Sequence, residues 1–449
     1  MVGGGIFGWE KGEWTDDTAM AIAIAEVAAT GADLRSDTAQ DTIVARWHHW
    51  ATTAKDVGNQ TGAVITAAGI AALREGNDEI KARHARAASE HHHQSSGRSA
   101  GNGSLMRTAP VALAFLHDEN ALVEAATTIS ALTHFDPEAG EACVLWCLAI
   151  RHAVLTGTLD VRHGLPHLTA GPRDMWAKRI DEAETKHPAD FDRNGWVIEA
   201  FQGAYSAIAT TPTPAHDPAT GVFAADQLRL ALDAAVRGGL DTDTVAAIAG
   251  GLLGGTHGAS AVPAAWRRVL HGWPGLHARD LAALATSIIN NGEPDRFDYS
   301  YRSFGRLDAL TQHPYDDGLW IGGIGALRSL PPGVDAVVSL CRIGPDDVPA
   351  DTEVIEVRLI DRDGTDHNPN LGFVLNDTAT LIQQLRDEGR TVLLHCVQAQ
   401  SRTPTIATLY GTLLRNASID VALVDIQAVL PDAYPIKSFL DALHATETR

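Results

Sequence analysis

Two short strings carry the chemistry open to the first half of this chain: Thr15-Asp16-Asp17-Thr18 and Asp241-Thr242-Asp243-Thr244. Each opens an apolar stretch of helical texture, Ala19-Met20-Ala21-Ile22-Ala23-Ile24 after the first and Val245-Ala246-Ala247-Ile248-Ala249 after the second. A carboxylate at a helix start is ordinary, because Asp or Thr caps free N–H groups and negative charge suits the helix dipole. Helices this apolar, however, are expected to be buried on most sides. Carboxylates led inward by two such helices are costly without a countercharge, and neither string holds a Lys or Arg. A Thr hydroxyl and two Asp from each string offer enough oxygen ligands for two Mg2+-like ions that share carboxylates. Zinc would ask for thiolate or imidazole, which the strings lack.

A second constellation lies near the other end, His395-Cys396-Val397-Gln398-Ala399-Gln400-Ser401-Arg402-Thr403. It follows an apolar strand-like run at 391–394 and precedes a helix. The spacing Cys-x5-Arg lets a short loop curl around a tetrahedral oxyanion, with backbone N–H groups and the helix N-terminus pointing at it. That positive setting makes Cys396 a thiolate nucleophile. Arg402 can hold two phosphate oxygens in its planar fork. Thr403 can cap the helix, and Pro404 suits its first turn.

The elements that must position these groups differ between the two parts. From Thr15 to about Asn291 the pattern is helical with glycine-rich connections, such as Gly62-Ala63-Val64-Ile65 and Ala139-Gly140-Glu141-Ala142, and convincing alternating strands are absent. His91-His92-His93 reads as a solvated polar loop. Asn290-Asn291-Gly292-Glu293-Pro294-Asp295 is a polar break. Beyond it, 336–341, 354–360 and 391–395 read as strands alternating with helices over 378–388 and 405–415, which implies a parallel or mixed sheet. The expectation is a multidomain chain: an all-α domain over 1–292, a linker over 293–317, and an α/β domain over 318–449.

Composition agrees. With 449 residues, 45% of them hydrophobic and 20% charged, the chain is long enough for two or three globular domains. Its formal charge of −21 argues against broad binding to nucleic acid or an anionic membrane surface. Cys143, Cys147, Cys341 and Cys396 are too few for a disulfide scaffold and suggest a reducing compartment; Cys143 and Cys147 read as core residues. No apolar run is expected to span a bilayer and no signal-peptide pattern opens the chain, so the expected location is cytoplasmic.

The part from residue 3 to about 290 resembles the ADP-ribosylglycohydrolase family, which includes the dinitrogenase reductase-activating glycohydrolases. The matching pieces, in the family's order, are Gly12-Glu13-Trp14-Thr15-Asp16-Asp17-Thr18-Ala19-Met20, Gly101-Asn102-Gly103-Ser104-Leu105-Met106-Arg107-Thr108-Ala109-Pro110, Thr133-His134, and Gly238-Gly239-Leu240-Asp241-Thr242-Asp243-Thr244. The resemblance implies that Thr15, Asp16, Asp17, Asp241, Asp243 and Thr244 hold two Mg2+, with Mn2+ as the alternative. These would orient ribose hydroxyls and an attacking water. Asn102, Gly103, Ser104 and Met106 would line an ADP-ribose cleft, and His134 would contact substrate. The family normally begins with a helix bearing a Gly-Asp motif and, in several members, an upstream acid. This chain opens on Met1-Val2-Gly3-Gly4-Gly5, after that point: either the chain is truncated, its start is placed too late, or the domain lacks that element, and Glu10 and Glu13 are the nearby acids.

Residues from about 318 to 446 resemble the dual-specificity branch of the protein tyrosine phosphatases, with Trp320-Ile321-Gly322-Gly323 as the first strand and turn. By that resemblance Cys396 attacks phosphorus, Arg402 stabilises the transition state, and Ser401 and Thr403 complete the phosphate pocket. An upstream Asp serves as general acid. Asp361 and Asp366 are near-equal candidates for it, with Asp363 third. Ala399 stands where that family commonly has glycine. The leading expectation is a bifunctional hydrolase acting on ADP-ribosylated and phosphorylated proteins. The alternative is a non-catalytic reader of ADP-ribose or phosphate in one or both domains.

Overall fold

The computed structural model describes residues 3–5, 7–294, 301–344 and 346–447. The chain divides into two compact units. The first is Met1–Pro212, Gln227–Ala259 and Val269–Asp295; the second is Thr213–Asp226, Ser260–Arg268 and Arg296–Arg449.

The first unit is helical. At its centre, the helix Asp16–Ala28 buries Asp17, Ala19, Met20, Ile22, Ala23, Ile24, Ala25, Val27 and Ala28, so it is apolar on nearly every side. The helix Asp37–Ala51 is tied to it by Trp47, whose Nε1 donates to Met20 O at 3.0 Å. The helix Pro137–Thr156 starts where the Asp136 side chain accepts from Glu138 N, with proline in the first turn, and ends at left-handed Gly157. It carries Cys143 and Cys147, both buried and free. Its Trp146 donates Nε1–H to Ile248 O at 2.9 Å, which fastens the helix Thr242–His257. Buried indoles thus spend their one polar atom on a neighbouring helix carbonyl. These bonds help hold in place the two helices whose heads carry the acidic strings.

Three expectations are corrected in this unit. The helix Pro137–Thr156 is long and apolar enough to cross a membrane by length and composition, but 67% of its apolar window is buried, as in a core helix. The segment is also not purely α-helical, since β1 (His271–Gly272) and β2 (Leu276–His277) form a short antiparallel ribbon. His91, His92 and His93 lie inside the helix Ala82–Ser96, which is closed by left-handed Gly97. Three adjacent polar residues hide the helical period that the flanking alanines sustain.

The second unit holds a five-stranded mixed sheet in the order β3 (Leu310–His313), β4 (Asp316–Gly323), β7 (Val392–Cys396), β5 (Ala336–Ser339), β6 (Glu353–Glu356). Only the β3–β4 pair is antiparallel. β7 is the central strand, wholly buried, and ends on Cys396. The expected linker over 293–317 is therefore corrected, because it contains β3 and the first residues of β4. Expected strands 336–341 and 354–360 end early, at Ser339 and Glu356. Past those points the carbonyls of Leu340 and Leu359 both accept from Arg402 Nη1 at 3.1 Å. The helices Leu371–Asp387 and Arg402–Arg415 begin ahead of the expected starts at 378 and 405.

Gly272 decides how closely the ribbon approaches the first acidic string. A Cβ there would lie 2.5 Å from Trp14 Nε1, and that buried indole donates to Trp273 O. Gly272→Ala should therefore destabilise the first unit by about 1–3 kcal/mol, read as a lower denaturant midpoint at unchanged slope.

Candidate metal centre and phosphate loop

Thr15 and Asp241 occupy the N-cap positions of their helices, yet neither side chain caps. Thr15 Oγ1 instead donates to Asp17 Oδ2 at 2.6 Å. The Thr244 hydroxyl lies beside the carboxyl groups of Asp17 and Asp241 and favours their ionised forms. Oxygens of Asp16, Asp17 and Asp243 lie within 4.8 Å of one another. Asp17 is 2% exposed and its Oδ1 is buried with no hydrogen-bond partner. Burial raises the pKa of both Asp17 and Asp16. Asp16 and Asp243 push Asp17 further up, and Asp56, Asp243 and Asp241 do the same to Asp16. Asp241 is raised as well, mainly by burial. An orphaned buried oxygen among carboxylates that resist ionising together is a donor set suited to a hard divalent cation.

The loop Asn102–Ser104 is one turn of 3-10 helix. Asn102 Nδ2 donates to Asp241 Oδ2 at 2.7 Å, which links this loop directly to the second acidic string. Gly103 lies against the His134 ring. Ser104 and Met106 are buried, and Ser104 Oγ accepts from Ser130 Oγ at 2.9 Å.

In the second unit Cys396, Ser401 and Arg402 are buried at the C-terminal end of β7. Two loop carbonyls are tied down from outside the loop: Val397 O accepts from Ile324 N at 3.0 Å and Gln400 O from Tyr434 N at 2.6 Å. With carbonyls fixed this way, the loop's N–H groups are free to face an anion. Ser401 Oγ accepts from Ile436 N. The capping role expected of Thr403 is corrected: the N-cap position is Ser401, and the Thr403 hydroxyl donates to Gly322 O at 3.2 Å. Arg402 Nε is buried without a hydrogen-bond partner and stands 3.3 Å from Asp361 Oδ2. Asp363 is turned elsewhere and accepts from Ser438 N at 2.8 Å. Asp366 lies in the turn Thr365–His367. Asp361 is thus the candidate acid that the fold brings to Arg402. Ala399 is buried in the left-handed region at φ 57°, where a side chain is strained.

A family model described as ADP-ribosylglycohydrolase matches residues 1–296. The chain belongs to the ADP-ribosylglycohydrolase family. Among curated relatives it is 29% identical over 271 residues to the ADP-ribosylarginine hydrolase Tri1 of Pseudomonas putida (strain GB-1), covering 59% of this chain and 64% of that protein. It is 25% identical to the Tri1 hydrolase of Serratia proteamaculans (strain 568), at 59% and 65% coverage. It is 28% identical to the ADP-ribosyl-[dinitrogen reductase] glycohydrolase of Rhodospirillum rubrum, at 59% and 76%. The chain therefore spans just under two thirds of the length of the two Tri1 relatives. A solved ADP-ribosylglycohydrolase-related protein complex aligns at 24% identity with a TM-score of 0.45, covering 65% of this chain and 87% of that one. Human DUSP28 aligns at 21% identity with a TM-score of 0.27, covering 31% of this chain and 93% of that one. Both likenesses are weak.

Two residues of this family member's centre escape a reading of the sequence. Asp56 lies in an irregular connection, two residues before Gly58, where a Cβ would stand 3.8 Å from Asp16 Oδ2, and its pKa is raised by burial and then by Asp243. Asn194 accepts from Asp241 N at 3.2 Å and donates to Gly239 O at 3.0 Å, while its own carbonyl accepts from Asn102. That clamp spans Leu240, which is held at φ 64°. A single Asn or Asp far from either string gives no local signal. Asn194→Ala should cost about 1–3 kcal/mol through the groups left unpaired at Gly239 and Asp241; thermal unfolding of the variant checks this.

Proposed function

We propose that the first unit is a divalent-metal-dependent hydrolase that removes ADP-ribose from modified side chains of cytoplasmic proteins. The observation that carries this reading is the convergence of Asp16, Asp17 and Asp243, from two distant helix heads, around an unpaired buried oxygen. Family membership supplies the substrate class, and the two relatives named as ADP-ribosylarginine hydrolases favour arginine as the modified residue. Thr15, Asp16, Asp17, Asp241, Asp243 and Thr244 would hold two Mg2+ or Mn2+, which when bound would supply Lewis-acid polarisation and a more acidic water. The chain's own residues do the rest. Thr15 and Thr244 orient Asp17, and Asn102 orients Asp241. Asp56, outside that ligand set and coupled by charge to Asp16 and Asp243, is the group we assign to hold a proton of the attacking water.

We further propose that the second unit hydrolyses phosphate monoesters. Cys396 Sγ attacks phosphorus, the P–O bond to the leaving group breaks, and that oxygen takes a proton from Asp361. Water then cleaves the S–P bond of the phosphocysteine, with Asp361 receiving its proton. The Arg402 guanidinium, buried at the end of β7 with Nε in an ion pair to Asp361 at 3.3 Å but in no hydrogen bond, supports anion binding here.

For the first unit, carboxyl groups with raised pKa in the fold stabilise it fully below the ordinary carboxylate range, and that contribution is lost as pH rises through the raised values. Metal-stripped protein should therefore melt at lower temperature at neutral than at mildly acidic pH. Mg2+ at about a hundred times its dissociation constant should restore about 2.7 kcal/mol at neutral pH. Asp243→Ala should abolish both that restoration and release of ADP-ribose from ADP-ribosylarginine protein. Binding of ADP-ribose with no release by the intact, metal-loaded chain would make the unit a reader instead.

For the second unit, turnover of an aryl phosphate should vanish in Cys396→Ser and fall about a hundredfold in Asp361→Asn, with Asp366→Asn much closer to the parent. Ala399→Gly should raise the unfolding free energy of this unit by about 1 kcal/mol by relieving the left-handed alanine. Equal losses in the two Asp variants would reject Asp361 as the acid.

A further inference from the structure

Arg107 is 1% exposed, and no carboxylate pairs with it among the described residues. Its guanidinium lies over the Trp47 ring, 4.0 Å from the centroid, and Nη1 approaches Met20 Sδ at 3.6 Å. Nη2 donates to Thr133 Oγ1 at 2.6 Å. Thr133 is fully buried, and the same oxygen stands 2.8 Å from His134 Nδ1. These contacts determine where the protons lie. A guanidinium has donors only, so Thr133 Oγ1 accepts from Arg107. The hydroxyl's single proton then needs an acceptor, because a buried unpaired donor is costly. Of the two groups bonded to that oxygen, only His134 Nδ1 can accept. Nδ1 is therefore unprotonated. The ring is neutral, since burial and then the Arg107 charge push its pKa well below the usual histidine range. Its remaining proton sits on Nε2.

Nε2 faces the loop that contacts the second acidic string. A Cβ at Gly101 or at Gly103 would lie 3.2 Å from Nε2, and Asn102 between them holds Asp241. The hydrogen bonds of the His134 side chain run through Nδ1 alone among the described residues.

We infer that Arg107 and Thr133 are positioning residues that lock His134 in the Nε2–H tautomer, so that one fixed donor is offered to a phosphate oxygen of ligand lying over the Gly101–Gly103 turn. The ligand's identity rests on the ADP-ribose reading above; the proton arrangement does not. The side chain of Gln60 helps hold the same corner, with Nε2 donating to Ser99 O at 2.9 Å and to Thr133 O at 3.0 Å.

The test uses the full chain with Mg2+ and 15N-labelled histidine. Long-range 1H–15N correlation reports each ring nitrogen, and the His134 signals are those lost in His134→Gln. A pyrrole-like Nε2 and a pyridine-like Nδ1 are expected in the parent and in Thr133→Ser, which keeps the hydroxyl. Thr133→Val should lose that preference and bind ADP-ribose about tenfold more weakly by calorimetry, with Thr133→Ser restoring affinity. Arg107→Lys, which keeps a donor and a positive charge, guards against a folding defect in a single variant. A protonated Nδ1 in the parent, or a Thr133→Val variant with unchanged tautomer and affinity, overturns the relay. A parent that shows the tautomer but binds no ADP-ribose supports the relay and overturns the ligand assignment.

Discussion

Carboxylates held together out of water are the constraint around which the first unit is arranged. Asp17 is 2% exposed, with Asp16 and Asp243 within reach of the same small volume. Such a cluster is unfavourable unless the surrounding chain is rigid and some positive charge relieves it. The rigidity is visible. Trp47 and Trp146 lock helices to carbonyls of the two string-bearing helices, Trp14 is gripped by the ribbon, and Asn194 fastens the approach to Asp241. Arg107 is the buried cation beneath this corner. Its field reaches Asp16, and desolvation draws its own pKa down to about 9, so it remains charged at neutral pH.

The second unit solves a related problem with opposite sign. Its central strand ends on a buried cysteine followed by a loop whose carbonyls are held outward and whose arginine sits under two strand ends. The Arg402 guanidinium holds the carbonyls of Leu340, just past β5, and Leu359, three residues past β6, so one side chain ties together the segments that leave both strands.

Much of this was legible in the sequence wherever a local string carried the information. The acidic strings, the Cys-x5-Arg loop, the change from helical to alternating texture and the strand Trp320-Ile321-Gly322-Gly323 all lie within a few consecutive residues. What stayed hidden depends on distant partners. Asn194 and Asp56 reach the centre through the fold alone, and a lone polar residue in a connection has no spacing to read. The choice among Asp361, Asp363 and Asp366 needed the position of Arg402 and of Ser438. The histidine run was misread because three polar residues mask a helix made by its neighbours, and the supposed linker concealed β3 because that strand is short and lies at the sheet edge.

The division of the chain also bears on its manufacture. Residues 213–226 and 260–268 belong to the second unit, although each is flanked in sequence by the first. Phe223 packs its ring edge-on to Phe373, Ala264 N donates to Asp377, and Arg268 pairs with Glu353 and Glu388. A ribosome emits these segments long before their partners. The helix Thr242–His257, which carries the second acidic string, emerges between them. During synthesis the chain must therefore carry apolar and charged surface in waiting, and a break placed at residue 292 would separate these partners from one another instead of yielding two self-sufficient proteins.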